Sequence, residues 1–161
     1  MQKRSIAALP AENRHFMVQR SPGELIALLA GQGGAMLGCW MGPNLAAQII
    51  LRWPKDSFAG TGIARPLPWL PHEITMLQGA LVDPLCRQRG ITRHLLLSAC
   101  GLSVRHGRMQ MLARIAAANT PSLRSFLSVG FGILACEPHD PSGRETLYLG
   151  LDLANHRHGL T

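Results

Sequence analysis

The sequence predicts a mixed α/β fold in which a strand, a helix, a second strand and a second helix lie between two antiparallel hairpins. Three observations predict it: 47% of the 161 residues are hydrophobic, apolar residues alternate in several short runs, and they recur with helical spacing from Ile91 to Leu102. This length and composition are typical of one domain with an ordinary core and exclude a disordered tail or linker. We expect a single domain over residues 1–161, with its core at 21–153 and frayed ends at 1–15 and 155–161.

The N-terminal half contains the signals of one helix, one hairpin and one long loop. A serine, a proline and an early glutamate come directly before an apolar run, which is typical of a helix start. Two further apolar runs flank a Gly-Pro-Asn turn, and six prolines and glycines then interrupt the chain. The predicted elements are a helix from Ser21 to Gly31, a hairpin of strands Ala35–Trp40 and Gln48–Trp53, and a loop from Pro54 to Pro71.

The C-terminal half contains the α/β centre and the second hairpin. A buried apolar run with an internal glycine indicates a strand with a bulge at Gly79, and Gly107 is placed to end the most regular helix. Thr120 and Pro121 have the residue types of an N-cap and a first helical position. The predicted elements are strands Ile74–Val82 and Met109–Ala117, helices from Ile91 to Gly107 and from Thr120 to Gly130, and a hairpin of strands Ile133–Cys136 and Leu147–Leu153 around a turn at Pro138–Gly143.

The charge of the chain is positive and unevenly distributed. The formal net charge of +7 favours an anionic partner, such as a phosphate-bearing cofactor or a nucleic acid. No helix-turn-helix, zinc-finger or RNA-binding motif accompanies it, so nucleic acid is not the favoured partner. The stretch between Asp83 and Glu137 holds no carboxylate and seven arginines, which are Arg87, Arg89, Arg93, Arg105, Arg108, Arg114 and Arg124.

The cysteines and the apolar runs bear on metal binding and on location. The four cysteines form no CxxC pair and no zinc-binding spacing, so we expect reduced thiols, most of them buried, and no metal site. The apolar run Leu25–Ala30 is far shorter than the stretch of about 20 residues that spans a bilayer, and the basic start of the chain breaks at Pro10. We therefore expect a cytoplasmic protein with no membrane partner.

The segment from Leu81 to Thr92 carries the clearest chemistry in the sequence. A strand end, a short arginine-rich loop, Gly90 and a helix start follow one another there. In that order, the unpaired N–H groups of the helix start and the helix dipole attract a phosphate or diphosphate, and the arginines add positive charge. The Gly-Lys-Ser/Thr ending of a Walker A loop is absent, so the segment predicts a different kind of diphosphate-binding loop.

Four short motifs stand in register along the second half of the chain. Leu81-Val82-Asp83-Pro84 ends a strand, and the run from Arg87 to Thr92 forms the loop. Asn119 follows the next strand, and Gly130-Phe131 closes the helix after it. In these motifs the chain resembles the GNAT superfamily of acyl-CoA-dependent N-acetyltransferases, over roughly residues 74–153.

The resemblance implies a GNAT-like fold with acetyl-CoA as co-substrate. In this fold a central mixed sheet, flanked by helices, is splayed between the family's fourth and fifth strands. The resemblance also implies that a main-chain N–H near Leu81 or Val82 polarises the thioester carbonyl and that Asn119 contacts the pantetheine arm. The residues implied to hold the pantetheine arm and the diphosphate are Val82, Arg87, Gln88, Arg89, Gly90, Ile91 and Thr92.

Two positions of the cofactor site depart from the family pattern. Thr92 replaces the final glycine or alanine of the loop, which adds a hydroxyl beside the diphosphate. Phe126 takes the position where many members have the tyrosine that protonates the departing CoA thiolate, so the resemblance implies that it contacts the cofactor, but a phenylalanine cannot donate a proton. Water, Ser122 or Ser125 would then supply that proton, whereas Tyr148 is interpreted as a packing residue.

Two residues before the family's fourth strand are candidates for the acceptor side of the site. Glu73 is the candidate general base that removes a proton from an ammonium acceptor, and the alternative is a solvated carboxylate at the strand end. Trp69 is a candidate for lining an acceptor pocket, although anchoring of the proline-rich loop to the core is the favoured interpretation.

The predicted function is transfer of an acetyl group from acetyl-CoA to a primary amine by direct attack in a ternary complex. The alternatives are an acyl-CoA-binding protein of this fold with weak or no transferase activity, and a small basic nucleic-acid-binding module. The sequence leaves open whether the amine acceptor is a small molecule or a macromolecule. Members of the family often form homodimers, but the sequence indicates no interface.

Overall fold

The computed structural model describes residues 7–8, 21–31, 33–58, 66–138 and 145–155. Most of the predicted frayed ends, the middle of the proline-rich loop and most of the predicted last turn lie outside these residues. None of the described helices is both long and apolar enough to cross a bilayer. The helices and strands are α1 (Pro22–Leu29), β1 (Gly34–Met41), β2 (Asn44–Arg52), β3 (Ile74–Val82), α2 (Ile91–Arg105), β4 (Gln110–Ala116), α3 (Thr120–Leu127), β5 (Gly132–Pro138) and β6 (Glu145–Asp152).

The six strands form one mixed sheet in the order β1-β2-β3-β4-β6-β5. The central strands β3 and β4 are parallel, whereas every other neighbouring pair is antiparallel. The hairpins β1–β2 and β5–β6 form the two edges of the sheet, and the β3-α2-β4-α3 segment supplies its centre. The predicted mixed α/β fold with a hairpin at each end is therefore confirmed.

One face of the sheet packs against α2 and α3 and forms the main core. Alternate residues of the strands point to this face and meet apolar side chains of α2, among them Leu96 and Cys100. Helix α3 contributes Phe126, whose ring lies edge-on to that of Phe131 with centroids 5.0 Å apart. The strand residues in this core are Ala47, Ile49, Leu51, Leu77, Met111, Ala113, Ile115, Leu147, Leu149 and Leu151.

The start of α1 and the end of α2 follow the local sequence signals. Glu24 N–H donates to Ser21 Oγ at 3.2 Å, and Ser21 N–H donates to the Glu24 carboxylate at 3.0 Å, which forms a capping box. Gly107 follows α2 with a φ of +69°, in the left-handed conformation that a glycine adopts at a helix C-terminus. Both boundaries are those that the residue types predicted.

The predicted starts of α3 and β2 are wrong. The N-cap of α3 is Asn119 and not Thr120, because the Asn119 side-chain oxygen accepts the N–H of Ser122 at 3.3 Å and Thr120 is already helical. Strand β2 begins at Asn44 and not at Gln48, because its pairing with β1 continues up to a two-residue turn. Thr120 was predicted as the cap but lies in the helix, and Asn44 was predicted in the turn but lies in the strand.

The opposite face of the sheet carries a smaller apolar cluster beneath the proline-rich loop. The cluster is separate from the main core because it is built from the alternate residues of β3 and β4. Its buried members are Ile74, Met76 and Leu112, and the loop side chains Phe58, Leu67 and Trp69 pack against them.

Arg108, just before β4, joins the two ends of the proline-rich loop. Its Nη1 donates to the carbonyl oxygen of Pro54 at 3.2 Å and to that of His72. The guanidinium also lies over the Trp53 ring, 5.9 Å from the centroid. Burial lowers the pKa of Arg108, but an arginine stays protonated in proteins, so both hydrogen bonds are charge-assisted. The loop is therefore fixed to the sheet at both of its ends.

Gly34, at the start of β1, lies where a side chain has no room. An added Cβ would lie 2.1 Å from the backbone oxygen of Leu51 on the paired strand. We expect Gly34→Ala to lower the free energy of unfolding by about 3 kcal/mol in a urea titration, because the β1–β2 ladder would have to shift. The control is Gly132→Ala, where a Cβ meets no atom within 4 Å and we expect a change within about 0.5 kcal/mol. Equal effects of the two substitutions would contradict the β1–β2 register.

Candidate functional site

The central strands β3 and β4 separate in the middle of the sheet. Their ladder holds four residue pairs and ends at Leu77–Ala113, although β3 continues to Val82 and β4 to Ala116. Beyond the last pair, each strand stays paired with its outer neighbour, β2 or β6. We call the opening between β3 and β4 beyond this pair the gap. It is the predicted splay of the two central strands. Its presence confirms the predicted GNAT-like sheet.

A bulge at Gly79 accounts for the position of the gap. The φ of Gly79 is +55°, in the left-handed region that favours glycine. The β2–β3 register shifts between Gln48 and Ile50 at this point, so that β3 carries one residue more than its partner. A bulge bends a strand and increases its twist, which turns the end of β3 away from β4. The bulge predicted at Gly79 is therefore confirmed.

The loop between β3 and α2, residues 83–90, presents backbone N–H groups at one end of the gap. Asp83 Oδ1 accepts a backbone N–H at 3.1 Å, which turns the chain out of β3. Gln88 and Gly90 have left-handed φ values of +62° and +71°, and such turns gather N–H groups into anion-binding concavities. Among the described residues, the N–H groups of 88–93 donate to no backbone carbonyl, and the first bond of α2 is made by His94.

The arginines of the carboxylate-free stretch are divided among several places. Arg87, Arg89 and Arg93 are exposed beside the loop at the N-terminal end of α2. Arg105 lies at the other end of this 15-residue helix, about 22 Å away, and Arg108 holds the proline-rich loop. Only part of the stretch therefore faces the loop, and its charge is not gathered on one surface.

The predicted cofactor residues meet at one edge of the sheet. Val82 ends β3, the loop follows it, and Asn119 follows β4. Because β3 and β4 are parallel, their C-terminal ends lie at the same edge. Ile91 and Thr92 are half-buried in the first turn of α2, and Leu81 is 7% exposed in β3. The structure brings these residues together around the gap, and their contact with a cofactor stays a prediction.

Phe126 lies in the main core. Its side chain is 3% exposed and packs on Phe131. On the same helix, Ser125 Oγ donates to the carbonyl oxygen of Pro121 at 3.0 Å, so this candidate for the acid also has a partner within the protein. The ring of Phe126 holds α3 against the sheet, and little of its surface is left for the cofactor contact that the motif register predicted.

Glu73 lies at the opposite end of β3 from the loop. Its Oε2 accepts the N–H of Leu70 at 2.7 Å, and its carbonyl oxygen accepts the N–H of Met109 at 2.8 Å. Glu73 comes six positions before Gly79, which corresponds to about 20 Å of extended strand. A glutamate side chain does not span this length, so the geometry does not support Glu73 as a base at the gap. Its contacts give it a role in fixing the chain before β3.

A cavity of about 190 Å³ opens on the face of the sheet opposite α2 and α3. Its walls come from the proline-rich loop and from β3, β4, β5 and β6. Trp69 both lines this cavity and packs on the smaller cluster. Lining a pocket and anchoring the proline-rich loop, the two roles considered for this residue, are therefore compatible. The lining residues are Pro66, Leu67, Pro68, Trp69, Met76, Leu112, Ala113, Arg114, Leu134, Tyr148 and Leu149.

Arg114 and Tyr148 both line this cavity, a role that the sequence analysis assigned to neither. Tyr148 is 8% exposed, which agrees with its predicted role as a packing residue. The two residues are paired neighbours on β4 and β6, with the guanidinium carbon 5.5 Å from the centre of the tyrosine ring. Arg114 directly follows Ala113, the last residue of β4 that pairs with β3, so it lies beside the gap. Arg114 is a lone arginine between apolar residues of a strand, and this unusual position could have marked it as a functional residue. The sequence analysis instead counted it together with the loop arginines.

The cysteines differ in burial from the prediction. Cys100 is buried, Cys39 and Cys86 are half-buried, and Cys136 is exposed, so the expectation that most of them are buried is wrong. Burial raises the pKa of the Cys100 thiol to about 12, which makes it a poor nucleophile. The described residues contain no cluster of three or more His, Cys, Asp or Glu side chains that could hold a metal ion.

Comparisons with known proteins agree on the fold. No family model and no curated protein matches the sequence. The structure of yncA from Salmonella typhimurium, assigned as an acetyltransferase and determined with its cofactor acetyl-CoA, has a TM-score of 0.68 at 18% identity, over 94% of this chain and 83% of its own. A protein of Desulfovibrio desulfuricans assigned to the GNAT family has a TM-score of 0.66 at 17% identity, over 94% and 91% of the two chains.

A third solved structure, assigned as a phosphinothricin N-acetyltransferase, has a TM-score of 0.63 at 21% identity, over 94% of this chain and 87% of its own. Likeness at such identities establishes a shared fold. The chain has the fold of the GNAT acetyltransferases, which is the fold that the four motifs predicted.

Phe126→Tyr tests whether residue 126 reaches the gap. Because the ring is 3% exposed, the added hydroxyl would be buried against apolar neighbours, and we expect the free energy of unfolding to fall by about 1–3 kcal/mol. The chain has one tyrosine, so absorbance titration of the variant resolves the new phenol. Unchanged stability, with a phenol that titrates near the ordinary value of about 10, would contradict the buried placement.

Proposed function

We propose that this chain, which has the GNAT fold, is an N-acetyltransferase that transfers an acetyl group from acetyl-CoA to a primary amine in a ternary complex. The gap carries the proposal. Two parallel strands that diverge after four pairs leave a space between their edges, and a strand edge can take up main-chain hydrogen-bond partners from an extended ligand chain. The pantetheine arm of acetyl-CoA is an extended chain with two amides, so it can supply such partners.

The loop beside the gap fits the phosphates of the same molecule. A Cβ on Gly90 would meet no atom within 4 Å, so the space in front of the first turn of α2 is open to a ligand. Arg87, Arg89 and Arg93 are exposed around this space and would form charge-assisted hydrogen bonds to phosphate oxygens. The proposed contact of Asn119 with the pantetheine arm would use side-chain atoms other than the oxygen that caps α3.

The names of similar structures support acetyl transfer and leave the acceptor open. One of them was determined with acetyl-CoA. Another is assigned as a phosphinothricin N-acetyltransferase, and a third is a ribosomal-protein-alanine N-acetyltransferase from Escherichia coli. Small molecules and proteins are therefore both found among the acceptors named for this fold.

Acetyl-CoA supplies the acetyl group as an activated thioester. In the proposed step, a neutral amine nitrogen attacks the carbonyl carbon, the C–N bond forms, the C–S bond breaks, and its electron pair leaves with the CoA sulfur. Main-chain N–H groups near Leu81 or Val82 would stabilise the charge that develops on the carbonyl oxygen. An ammonium acceptor loses two protons in all and the thiolate takes up one, so each transfer releases one proton.

We assign the proton transfers to water. No carboxylate lines the cavity among the residues that the structure describes, and Phe126 has no proton to donate. A free thiol has a pKa of about 8.5, so protonation of the leaving thiolate does not require a strong acid. The unplaced base and acid also favour one alternative, an acyl-CoA-binding protein of the same fold with weak transferase activity.

Gly90→Glu tests the loop against a matched control at the other end of the same helix. Gly90 and Gly107 flank α2 with φ values of +71° and +69°, and a Cβ at either meets no atom within 4 Å. We expect acetyl-CoA to raise the unfolding midpoint of the wild type and of Gly107→Glu, because it binds the native state. In Gly90→Glu the carboxylate fills the phosphate site, so we expect affinity to fall about 100-fold or more.

Retained affinity in Gly90→Glu would place the phosphate site elsewhere. If acetyl-CoA does not stabilise the wild type, both the transferase proposal and the acyl-CoA-binding alternative are wrong. Stabilisation by a short nucleic acid alone, with a steep dependence on salt, would instead favour the nucleic-acid-binding module. The division of the arginines among separate places argues against that outcome.

Glu73→Gln tests the candidate base. Glutamine keeps an oxygen that can accept the N–H of Leu70, so we expect kcat/KM to stay within about threefold of the wild type, whereas loss of a general base costs about 10²–10⁴-fold. Glu73→Ala removes the acceptor, and we expect the free energy of unfolding to fall by about 1 kcal/mol. A large fall of kcat/KM in Glu73→Gln, with unchanged stability, would restore Glu73 as the base.

A further inference from the structure

The cavity opposite α2 and α3 extends along β4 to Arg114, where the gap begins. Residues alternate along β4, so that Ala113 packs into the main core while Leu112 and Arg114 face the cavity. Arg114 is the first residue of β4 beyond the ladder with β3. A molecule in this cavity would therefore approach a thioester in the gap from the face that α2 and its loop leave open.

The walls of the cavity are apolar on nearly all sides. Trp69 and Met76 lie on the loop and β3 sides, and Leu134 lies on the β5 side. Among the described lining residues, Arg114 is the only charged one, and none is acidic. A polycationic acceptor would find no partner for its charges on these walls, whereas an apolar group would replace water against them.

Arg114 supplies a recognition group for an anion. The guanidinium lies over the Tyr148 ring at 5.5 Å, which orients it at the cavity wall. A guanidinium binds a carboxylate through two parallel hydrogen bonds, and these are stronger in apolar surroundings than in water. Because Arg114 is beside the gap, a carboxylate bound to it would lie near the reacting nitrogen.

We infer that this cavity binds the acceptor, and that the acceptor is an α-amino acid with an aromatic or aliphatic side chain. The inference rests on the proposed acetyl transfer and adds the chemical class of the amine. The carboxylate would bind Arg114, the side chain would lie against Trp69 and Met76, and the amine would point to the gap. The volume of about 190 Å³ is below the about 300–1,000 Å³ of sites for drug-sized ligands, which favours a small acceptor.

The test compares amines that differ by the carboxylate alone. L-Phenylalanine, L-leucine and L-methionine are each compared with the decarboxylated amine, using the full chain, saturating acetyl-CoA and the initial rate of CoA thiol release. Rates are corrected for the neutral fraction of each amine. We expect kcat/KM to be higher for the amino acid by about tenfold or more, the size of a buried hydrogen bond to a charged group. We expect the diamine putrescine to be the poorest acceptor.

Arg114→Gln removes the guanidinium, and Arg105→Gln is the matched control on an exposed residue at the end of α2. We expect Arg114→Gln to lower kcat/KM for L-phenylalanine by about tenfold while phenethylamine changes by less than about twofold. An equal fall of kcat/KM for both acceptors would mean that Arg114 has only a structural role in the sheet, which would overturn the inference. Arg105→Gln is expected to leave both values unchanged.

A second measurement does not depend on the folding of a variant. N-Acetyl-L-phenylalanine and N-acetylphenethylamine are compared as product inhibitors of the wild type, and we expect the carboxylated product to inhibit at about tenfold lower concentration. Absence of this preference, or faster acetylation of putrescine or of a peptide, would overturn the inference. If the inference is overturned in this way while acetyl-CoA still stabilises the protein, the proposed function remains supported. If acetyl-CoA neither stabilises the protein nor reacts with any amine, the proposed function itself is wrong.

Discussion

The early end of the β3–β4 ladder is the constraint on which the rest of the structure depends. Parallel neighbours in the centre of a sheet are normally buried and paired along their length, yet these two pair over four residues and stop at Leu77–Ala113. The bulge at Gly79 makes the separation local, because β3 turns away from β4 while it stays paired with β2. The hairpins on either side keep the diverging strands within one sheet.

The two sides of the sheet divide the chemistry of the proposed reaction. On the side of the main core, the loop and the first turn of α2 present N–H groups and three exposed arginines to an anion. On the other side, the loop held by Arg108 covers an apolar cavity with one guanidinium in its wall. A thioester in the gap would be accessible from both sides, which is what direct transfer between two bound molecules requires.

Charge is used differently at each place where an arginine occurs. Arg87, Arg89 and Arg93 stay exposed, where they can neutralise phosphates. Arg108 is partly buried and makes structural hydrogen bonds, and Arg114 lies against a tyrosine ring at the cavity. The same residue type in one carboxylate-free stretch therefore anchors the loop at Arg108, and it is proposed to bind phosphate at the other loop and to recognise the acceptor at the cavity.

The sequence by itself determined the mixed α/β fold, the bulge at Gly79 and the loop from Arg87 to Thr92, because these depend on local periodicity, on glycine conformation and on a helix start. Tertiary structure decided which side chains share a surface. It placed Phe126 in the core, fixed Glu73 to the chain before β3, and put Arg114 in the wall of the cavity. Such placements depend on which distant segments pair and on which elements cover each face of the sheet, and neither is encoded in the neighbouring residues.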